Sequence, residues 1–118
     1  MLFVCYDKCS TCKKAEKYLT EHGVKFTKRP IKEQNPSAEE ISEWYKKSNL
    51  PIKKLFNTSG KLYREQNIKD KINDMSDEEM IKILATSGMM IKRPVLVSEN
   101  TVLFGFKEDE YDKIINSL

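Results

Sequence analysis

The most informative segment of the chain is Leu2-Phe3-Val4-Cys5-Tyr6-Asp7-Lys8-Cys9-Ser10-Thr11-Cys12-Lys13-Lys14. Its apolar first half predicts a strand buried on both faces of a sheet, and the polar residues after it predict a turn and the start of a helix. Cys9 and Cys12 form a C-x-x-C pair at this junction. The first N–H groups of a helix and its dipole stabilise a thiolate, so this position is typical of a reactive thiol.

The first half of the chain continues as a helix, a strand and a helical block. The helix is expected to end at His22-Gly23, and residues 24–29 alternate as a second strand, which Pro30 closes. Ser37-Ala38-Glu39-Glu40 and Ser76-Asp77-Glu78-Glu79 are capping boxes, each followed by an apolar helical pattern. We therefore expect residues 37–87 to be a helical insertion.

The end of the chain predicts a hairpin and one more helix. Val95-Leu96-Val97 and Val102-Leu103-Phe104 flank a short polar loop. The final helix has one apolar face, made of Tyr111, Ile114, Ile115 and Leu118. The order β-α-β, helical insertion, β-β-α predicts a single α/β domain over residues 1–118, with a thioredoxin-like central mixed sheet.

The composition indicates a globular protein of a reducing compartment. Apolar residues make up 39% of the 118 residues and charged residues 33%. The N-terminal apolar run is too short for a membrane span and lacks the flanks of a signal peptide, so we expect a cytoplasmic protein without membrane contact. Because thiols stay reduced there, the C-x-x-C indicates catalysis, sensing or metal binding rather than a structural disulfide.

The formal net charge of +3 is unevenly distributed. Residues 1–72 hold 16 basic and 9 acidic side chains, whereas residues 73–118 hold 5 and 9. The lysines are spread out and are not interleaved with aromatic residues. This pattern favours a solvated surface over direct binding of nucleic acid.

Two kinds of metal site use the same cysteines. Zinc needs two ligands besides Cys9 and Cys12, and the candidates are Cys5, inside the predicted central strand, and His22, far along the helix. Cys5, Cys9 and Cys12 also have a C-x3-C-x2-C spacing found at iron–sulfur clusters, but those enzymes need a larger barrel. The sequence favours a thiol–disulfide pair with no metal or cofactor, and inert thiols remain an alternative.

The two cysteines of the pair are expected to have different roles. Cys9 precedes the helix and is predicted to be the exposed nucleophile with a low pKa, whereas Cys12 lies one turn inside and is placed to resolve a mixed disulfide on Cys9. Lys13, with Lys8 and Lys14, adds positive charge that favours a thiolate and an anionic substrate. Alternatively, these lysines form a solvated helix surface.

Arg93-Pro94 precedes the third predicted strand and is the second candidate part of the site. A guanidinium beside a thiolate can hold an oxyanion or a carboxylate through two hydrogen bonds. A proline at the start of a strand removes a backbone donor and fixes the chain direction. The alternative for Arg93 is a surface residue that closes the edge of the sheet.

Four features together resemble the arsenate-reductase-like family, which also contains the Spx-type regulators of Gram-positive bacteria. They are Cys9-Ser10-Thr11-Cys12-Lys13-Lys14-Ala15, the helical insertion, Arg93-Pro94-Val95-Leu96-Val97, and Gly105-Phe106-Lys107-Glu108-Asp109-Glu110. The resemblance implies a thioredoxin-like fold with Cys9 as nucleophile and Cys12 as the second cysteine of redox-switching members. It also implies a cis Pro94 facing them and an anion-binding role for Arg93.

This chain departs from both branches of that family. The arsenate reductases have a further arginine where this chain has Asn57-Thr58-Ser59-Gly60, so arsenate turnover is not expected. Spx-type members carry a glycine in the insertion that supports binding to the RNA polymerase alpha subunit, and this chain has Asn49-Leu50-Pro51-Ile52 in that region.

The prediction is therefore a monomeric, cytoplasmic thiol–disulfide oxidoreductase that works with glutathione or another low-molecular-weight thiol. Its site would consist of Cys9, Cys12, Arg93, Pro94 and Lys13. The alternative function is a redox-sensitive regulator that binds the C-terminal domain of the RNA polymerase alpha subunit. A third alternative is a family member without activity.

Overall fold

The computed structural model describes residues 1–118 and contains one four-stranded sheet with helices on both faces. The strands are β1 (Leu2–Cys5), β2 (Thr27–Pro30), β3 (Val95–Val97) and β4 (Val102–Phe104). The helices are α1 (Ser10–Glu21), α2 (Ala38–Ser48), α3 (Lys61–Glu65), α4 (Ile68–Lys71), α5 (Asp77–Thr86) and α6 (Glu108–Asn116). Short 3₁₀ turns lie at Ile52–Leu55, Ile72–Asp74 and Gly88–Met90. None of the helices combines the length and the apolar character that crossing a membrane requires.

The sheet has the strand order β2-β1-β3-β4. β1 pairs in parallel with β2, with Leu2 opposite Thr27, and antiparallel with β3, with Phe3 opposite Leu96. β3 and β4 form the predicted antiparallel hairpin, in which Leu96 faces Leu103. The apolar first run is therefore an inner strand, and the predicted thioredoxin-like order of elements is confirmed.

Each face of the sheet is buried against its own set of helices, because successive side chains of a strand point to opposite faces. On one face Phe3 and Cys5 pack against α1 and α6, in a core that includes Cys12, Ala15, Leu19, Tyr111 and Ile114. On the other face Val4 and Val95 pack against the insertion, in a core that includes Ile41, Trp44, Leu55, Ile68 and Leu84. The insertion thus covers one face of the sheet and forms much of the core there.

Both predicted capping boxes are present in the insertion. The Glu40 N–H donates to the Ser37 hydroxyl, and the Ser37 N–H donates to the Glu40 carboxylate, each at 3.1 Å. Ser76 and Glu79 repeat this arrangement at the start of α5. The caps satisfy N–H groups that the first turn of a helix leaves free, so these two helix starts are fixed by local sequence.

Two details of the sequence prediction are wrong. The second strand starts at Thr27 rather than Val24, because the Val24 N–H donates to the Leu19 carbonyl (3.0 Å) and so belongs to the C-cap of α1. Gly23 supplies the left-handed residue of this cap, with φ +70°. Leu118 does not join the apolar face of α6, since it follows the helix and is 75% exposed.

Candidate functional site

Cys9 lies at the N-cap position of α1, and Cys12 lies one turn inside the same helix. Cys9 is half-buried, whereas Cys12 and Cys5 are buried, and all three are free thiols. The first turn of α1 contains no acidic residue. The partial positive charge of the helix start therefore acts on Cys9 without a competing carboxylate in that turn.

The pKa of Cys9 is lowered from its ordinary value. Burial alone would raise the pKa, but hydrogen bonding from the Cys12 backbone N–H and thiol and the positive charge of Arg93 outweigh it. A larger fraction of Cys9 is then present as thiolate at neutral pH, and the thiolate is the nucleophilic form.

Burial dominates the behaviour of the other two cysteines. It raises the pKa of Cys12 to about 12 and the pKa of Cys5 to about 11. The Tyr6 N–H donates to the Cys12 sulfur at 3.4 Å, which offsets only part of the lost solvation. Cys9 is thus the one cysteine of the three whose surroundings favour the thiolate.

Arg93 is held beside Cys9 without an acidic partner. It is joined to Pro94 by a cis peptide bond, as the family resemblance implied. Its guanidinium lies over the Tyr6 ring at 5.2 Å from the centroid, and its Nη1 donates to the Met89 sulfur at 3.3 Å. The buried Nε has no hydrogen-bond partner. The charge of Arg93 therefore remains available to the Cys9 thiolate or to a bound anion.

Cys9 and Arg93 line an open cleft of about 420 Å³. Lys92 and Lys107 also line it, so three cations and no carboxylate face this space. Asn57 lines the cleft from the insertion. It belongs to the stretch Asn57-Thr58-Ser59-Gly60, the region where the resemblance places a further arginine in the arsenate reductases. The Asn57 N–H donates to the Met90 carbonyl at 2.8 Å, which ties this loop to the segment that precedes Arg93. The cleft suits a negatively charged group close to a thiolate.

Lys13 lies elsewhere. It is exposed and lines a separate cavity of about 230 Å³, together with Cys5, Cys12 and Lys28. Sequence reasoning did not select Lys92 or Lys107, although Lys92 adjoins Arg93 and Lys107 belongs to one of the motifs that carried the resemblance. Nothing in their spacing indicates that they lie near Cys9.

The structure brings no group of three or more His, Cys, Asp or Glu side chains into a metal-binding arrangement. His22 is exposed at the C-terminal end of α1, where its ring packs on Tyr18 with 4.2 Å between centroids. It is therefore separated by the length of α1 from Cys9, and the zinc ligand set considered from the sequence is not assembled.

The sequence profile of the ArsC family matches residues 5–114. The chain belongs to the ArsC family. The uncharacterized protein YusI of Bacillus subtilis is 48% identical over 113 residues, which cover 96% of each chain. The crystal structure of an ArsC-family related protein from Bacteroides fragilis superposes with a TM-score of 0.94 at 47% identity, covering 96% of this chain and 95% of the other.

The chain is also similar to transcriptional regulators. The global transcriptional regulator Spx of Staphylococcus haemolyticus is 24% identical over 107 residues, which cover 91% of this chain and 80% of Spx. The family relationship is thus compatible with both functions predicted from the sequence.

Proposed function

We propose that this ArsC-family protein is a cytoplasmic thiol–disulfide oxidoreductase that exchanges disulfides with glutathione or another low-molecular-weight thiol. The observation that supports this most is the position of Cys9, a half-exposed cysteine with a lowered pKa at a cleft lined by three cations. Small biological thiols such as glutathione carry carboxylates, which such a cleft attracts.

The proposed reaction has two exchange steps. The Cys9 thiolate attacks a sulfur of the substrate disulfide, forms a mixed disulfide with one half and releases the other half as a thiolate. Cys12 then attacks the Cys9 sulfur, which forms the Cys9–Cys12 disulfide and releases the second half. Cys12 loses its proton as it attacks, and the proton goes to a departing thiolate, because burial favours the protonated form of Cys12. Two molecules of the small thiol return the pair to dithiol and leave as their own disulfide.

Arsenate is not the substrate proposed here. Arg93 lines the cleft, but the loop Asn57-Thr58-Ser59-Gly60, in the region where arsenate reductases carry a further arginine, holds no charged residue, and it lines the cleft with the neutral Asn57. An amide donates hydrogen bonds but contributes no charge to a doubly or triply charged oxyanion. The insertion side of the cleft therefore lacks the positive charge that a further arginine provides for such an anion in the arsenate reductases.

A second candidate is a redox-sensitive regulator that binds the C-terminal domain of the RNA polymerase alpha subunit. The similarity to Spx supports this candidate. The same cysteine pair would then act as a switch rather than as a catalyst. The two candidates differ in what happens after Cys9 reacts: turnover in one case, and a change in binding in the other.

The test is to supply a mixed disulfide of glutathione and mercaptoethanol, with glutathione as the reductant, and to follow glutathione disulfide. We expect turnover by the native protein and none by Cys9→Ser. When Cys12→Ser is given the mixed disulfide without free glutathione, we expect a mixed disulfide to accumulate on Cys9. Turnover that survives Cys9→Ser would contradict the mechanism. The isolated alpha-subunit domain is titrated in parallel: binding that changes on oxidation, without turnover, would establish the regulator instead.

A further inference from the structure

A second, smaller cavity adjoins the Cys9 cleft. Its volume is about 190 Å³, and Lys54 and Glu110 are among the residues that line it. Lys92, Phe104 and Lys107 line both cavities. The two cavities are therefore neighbours that share these three residues, and the proposed function uses only the cavity that Cys9 lines.

The three lysines that line the second cavity carry positive charge that no ion pair offsets, as do most lysines of this chain. Lys17, Lys47, Lys61 and Lys82 each lie within 4 Å of a glutamate four residues away. Lys54, Lys92 and Lys107 are exposed and form no ion pair. The only acidic residue that lines the second cavity is Glu110. Three ammonium groups against one carboxylate leave an excess of positive charge in this cavity.

The position of Lys92 between the two cavities is set by close packing. Gly105 has φ +86°, and a Cβ at this residue would lie 2.9 Å from Lys92 Cε. The Lys92 stem thus runs across a glycine whose missing side chain leaves room for it. Leu50, Pro51 and Phe104 give the second cavity an apolar wall beside its charges.

We infer that the second cavity is a phosphate subsite for the tail of the thiol substrate, an inference that rests on the proposed function. The substrate class is then thiols and disulfides whose tail carries phosphates well away from the sulfur, as coenzyme A does. Lysines bind phosphate as point charges, and several of them around one group neutralise its multiple charge. Leu50, Pro51 and Phe104 would contact the uncharged part of such a tail in the same cavity. A compact thiol such as glutathione fills the first cavity only.

The test compares three ligands that share one thiol end: coenzyme A, its derivative without the 3′-phosphate, and pantetheine, which has no phosphate. Their affinities for the full chain with Cys9→Ser are measured by calorimetry under reducing conditions, so that no covalent bond forms. We expect coenzyme A to bind at least about tenfold more tightly than pantetheine, since a charge-assisted contact contributes about this much. Equal affinities would overturn the inference.

Lys54 and its neighbour Lys53 provide a matched pair of variants. Both are exposed, but Lys53 lines neither cavity and its ammonium donates to Asn73. Lys54→Ala should reduce the preference for coenzyme A over pantetheine by about fivefold or more, and Lys53→Ala should leave it unchanged. An equal effect of the two variants would show attraction by overall charge and would overturn the subsite.

Two further arms separate the possible explanations. In the first arm, inorganic phosphate and 3′-phosphoadenosine 5′-phosphate each compete with coenzyme A for the protein. If inorganic phosphate displaces coenzyme A equally well, the cavity is an isolated anion site, and this result would contradict recognition of the tail. Tight binding of coenzyme A by a protein that turns over no disulfide would support the subsite while the proposed function fails. Turnover of glutathione disulfides without any preference for coenzyme A would support the proposed function and would overturn the phosphate subsite.

Discussion

The guanidinium of Arg93 lies over the aromatic ring of Tyr6, 5.2 Å from its centroid. Tyr6 directly follows β1, and Arg93 precedes β3, which is paired with β1. Two neighbouring strands therefore bring a cation and an aromatic face together at the edge of the cleft that Cys9 lines. This contact limits the positions that Arg93 can adopt, and Arg93 is one of the groups that lower the pKa of Cys9.

Replacing the Tyr6 ring should leave the Arg93 guanidinium less firmly held beside Cys9. For Tyr6→Leu we expect disulfide exchange at Cys9 to slow by roughly twofold to fivefold, because a cation–π contact at a partly exposed site contributes about 0.5–1 kcal/mol. Tyr6→Phe keeps the ring and should keep the rate. Second-order rate constants with a glutathione mixed disulfide measure both, and equal losses in the two variants would point to the hydroxyl instead.

Alkylation should distinguish the three cysteines. Cys9 should react with iodoacetamide faster than Cys12 and Cys5 at neutral pH, because only the pKa of Cys9 is lowered and only Cys9 is accessible. Rates across a pH series, followed by peptide mapping, give the apparent pKa of each thiol. Faster modification of Cys12 than of Cys9 would reverse the assignment of nucleophile and resolving thiol.

Mild oxidation should produce one reversible disulfide, between Cys9 and Cys12. The two cysteines lie one turn apart at the start of α1, whereas Cys5 is buried in β1. Mass spectrometry of the oxidised, alkylated protein should find Cys5 as the single free thiol. A bridge that includes Cys5 would require the inner strand to move and would contradict the proposed pair.

Arg93 and Lys13 were both assigned to substrate binding from the sequence, and their variants can be compared directly. Arg93→Ala should raise the pKa of Cys9 and lower affinity for an anionic thiol by roughly tenfold or more, since charge-assisted hydrogen bonds contribute about 1.5–3 kcal/mol. Lys13→Ala is expected to have a smaller effect, because Lys13 lines a different cavity. Equal losses in the two variants would restore Lys13 to the binding site.

The Arg29–Glu40 ion pair predicts a dependence of stability on pH. The Arg29 guanidinium donates to both Glu40 carboxylate oxygens (2.6 and 3.1 Å), and it lowers the pKa of Glu40. A carboxyl group whose pKa is lower in the folded protein stabilises the fold at pH values above its pKa in the unfolded chain, which is about 4.3 for glutamate. This stabilisation is lost as the pH falls through the lower pKa of the folded protein. The Glu40 side chain is 40% exposed, so we expect Glu40→Gln to cost only about 1 kcal/mol at pH 7.

This cost should shrink as the pH falls below about 4, where the native carboxyl also becomes protonated. Urea unfolding of both proteins across the pH range measures the difference. Glu39→Gln is the control, because Glu39 occupies the same helix turn but is exposed and forms no ion pair. A cost for Glu40→Gln that stays constant down to pH 3 would show that its role is packing rather than charge.

Much of the fold could be predicted because its signals are local. Each capping box consists of four consecutive residues whose own side chains and N–H groups satisfy one another, so Ser37 and Ser76 mark helix starts in any context. The hairpin of β3 and β4 is likewise set by two apolar runs and a short polar loop. The alternating pattern predicts a second strand that starts three residues too early, at Val24. The N–H of Val24 instead bonds to the end of α1, so Val24 belongs to the cap of this helix and not to the strand.

The order of strands and helices, the buried inner strand and the C-x-x-C pair at the start of α1 all follow from the amino-acid sequence. The packing of remote segments brings Arg93, Lys92, Lys107 and Asn57 to the cleft that Cys9 lines, and it leaves Lys13 beside a different cavity. The reason is physical: periodicity and caps depend on neighbours within one or two turns. The distance between side chains from remote segments depends instead on which strands pair and how the insertion packs on the sheet, and no local pattern encodes that.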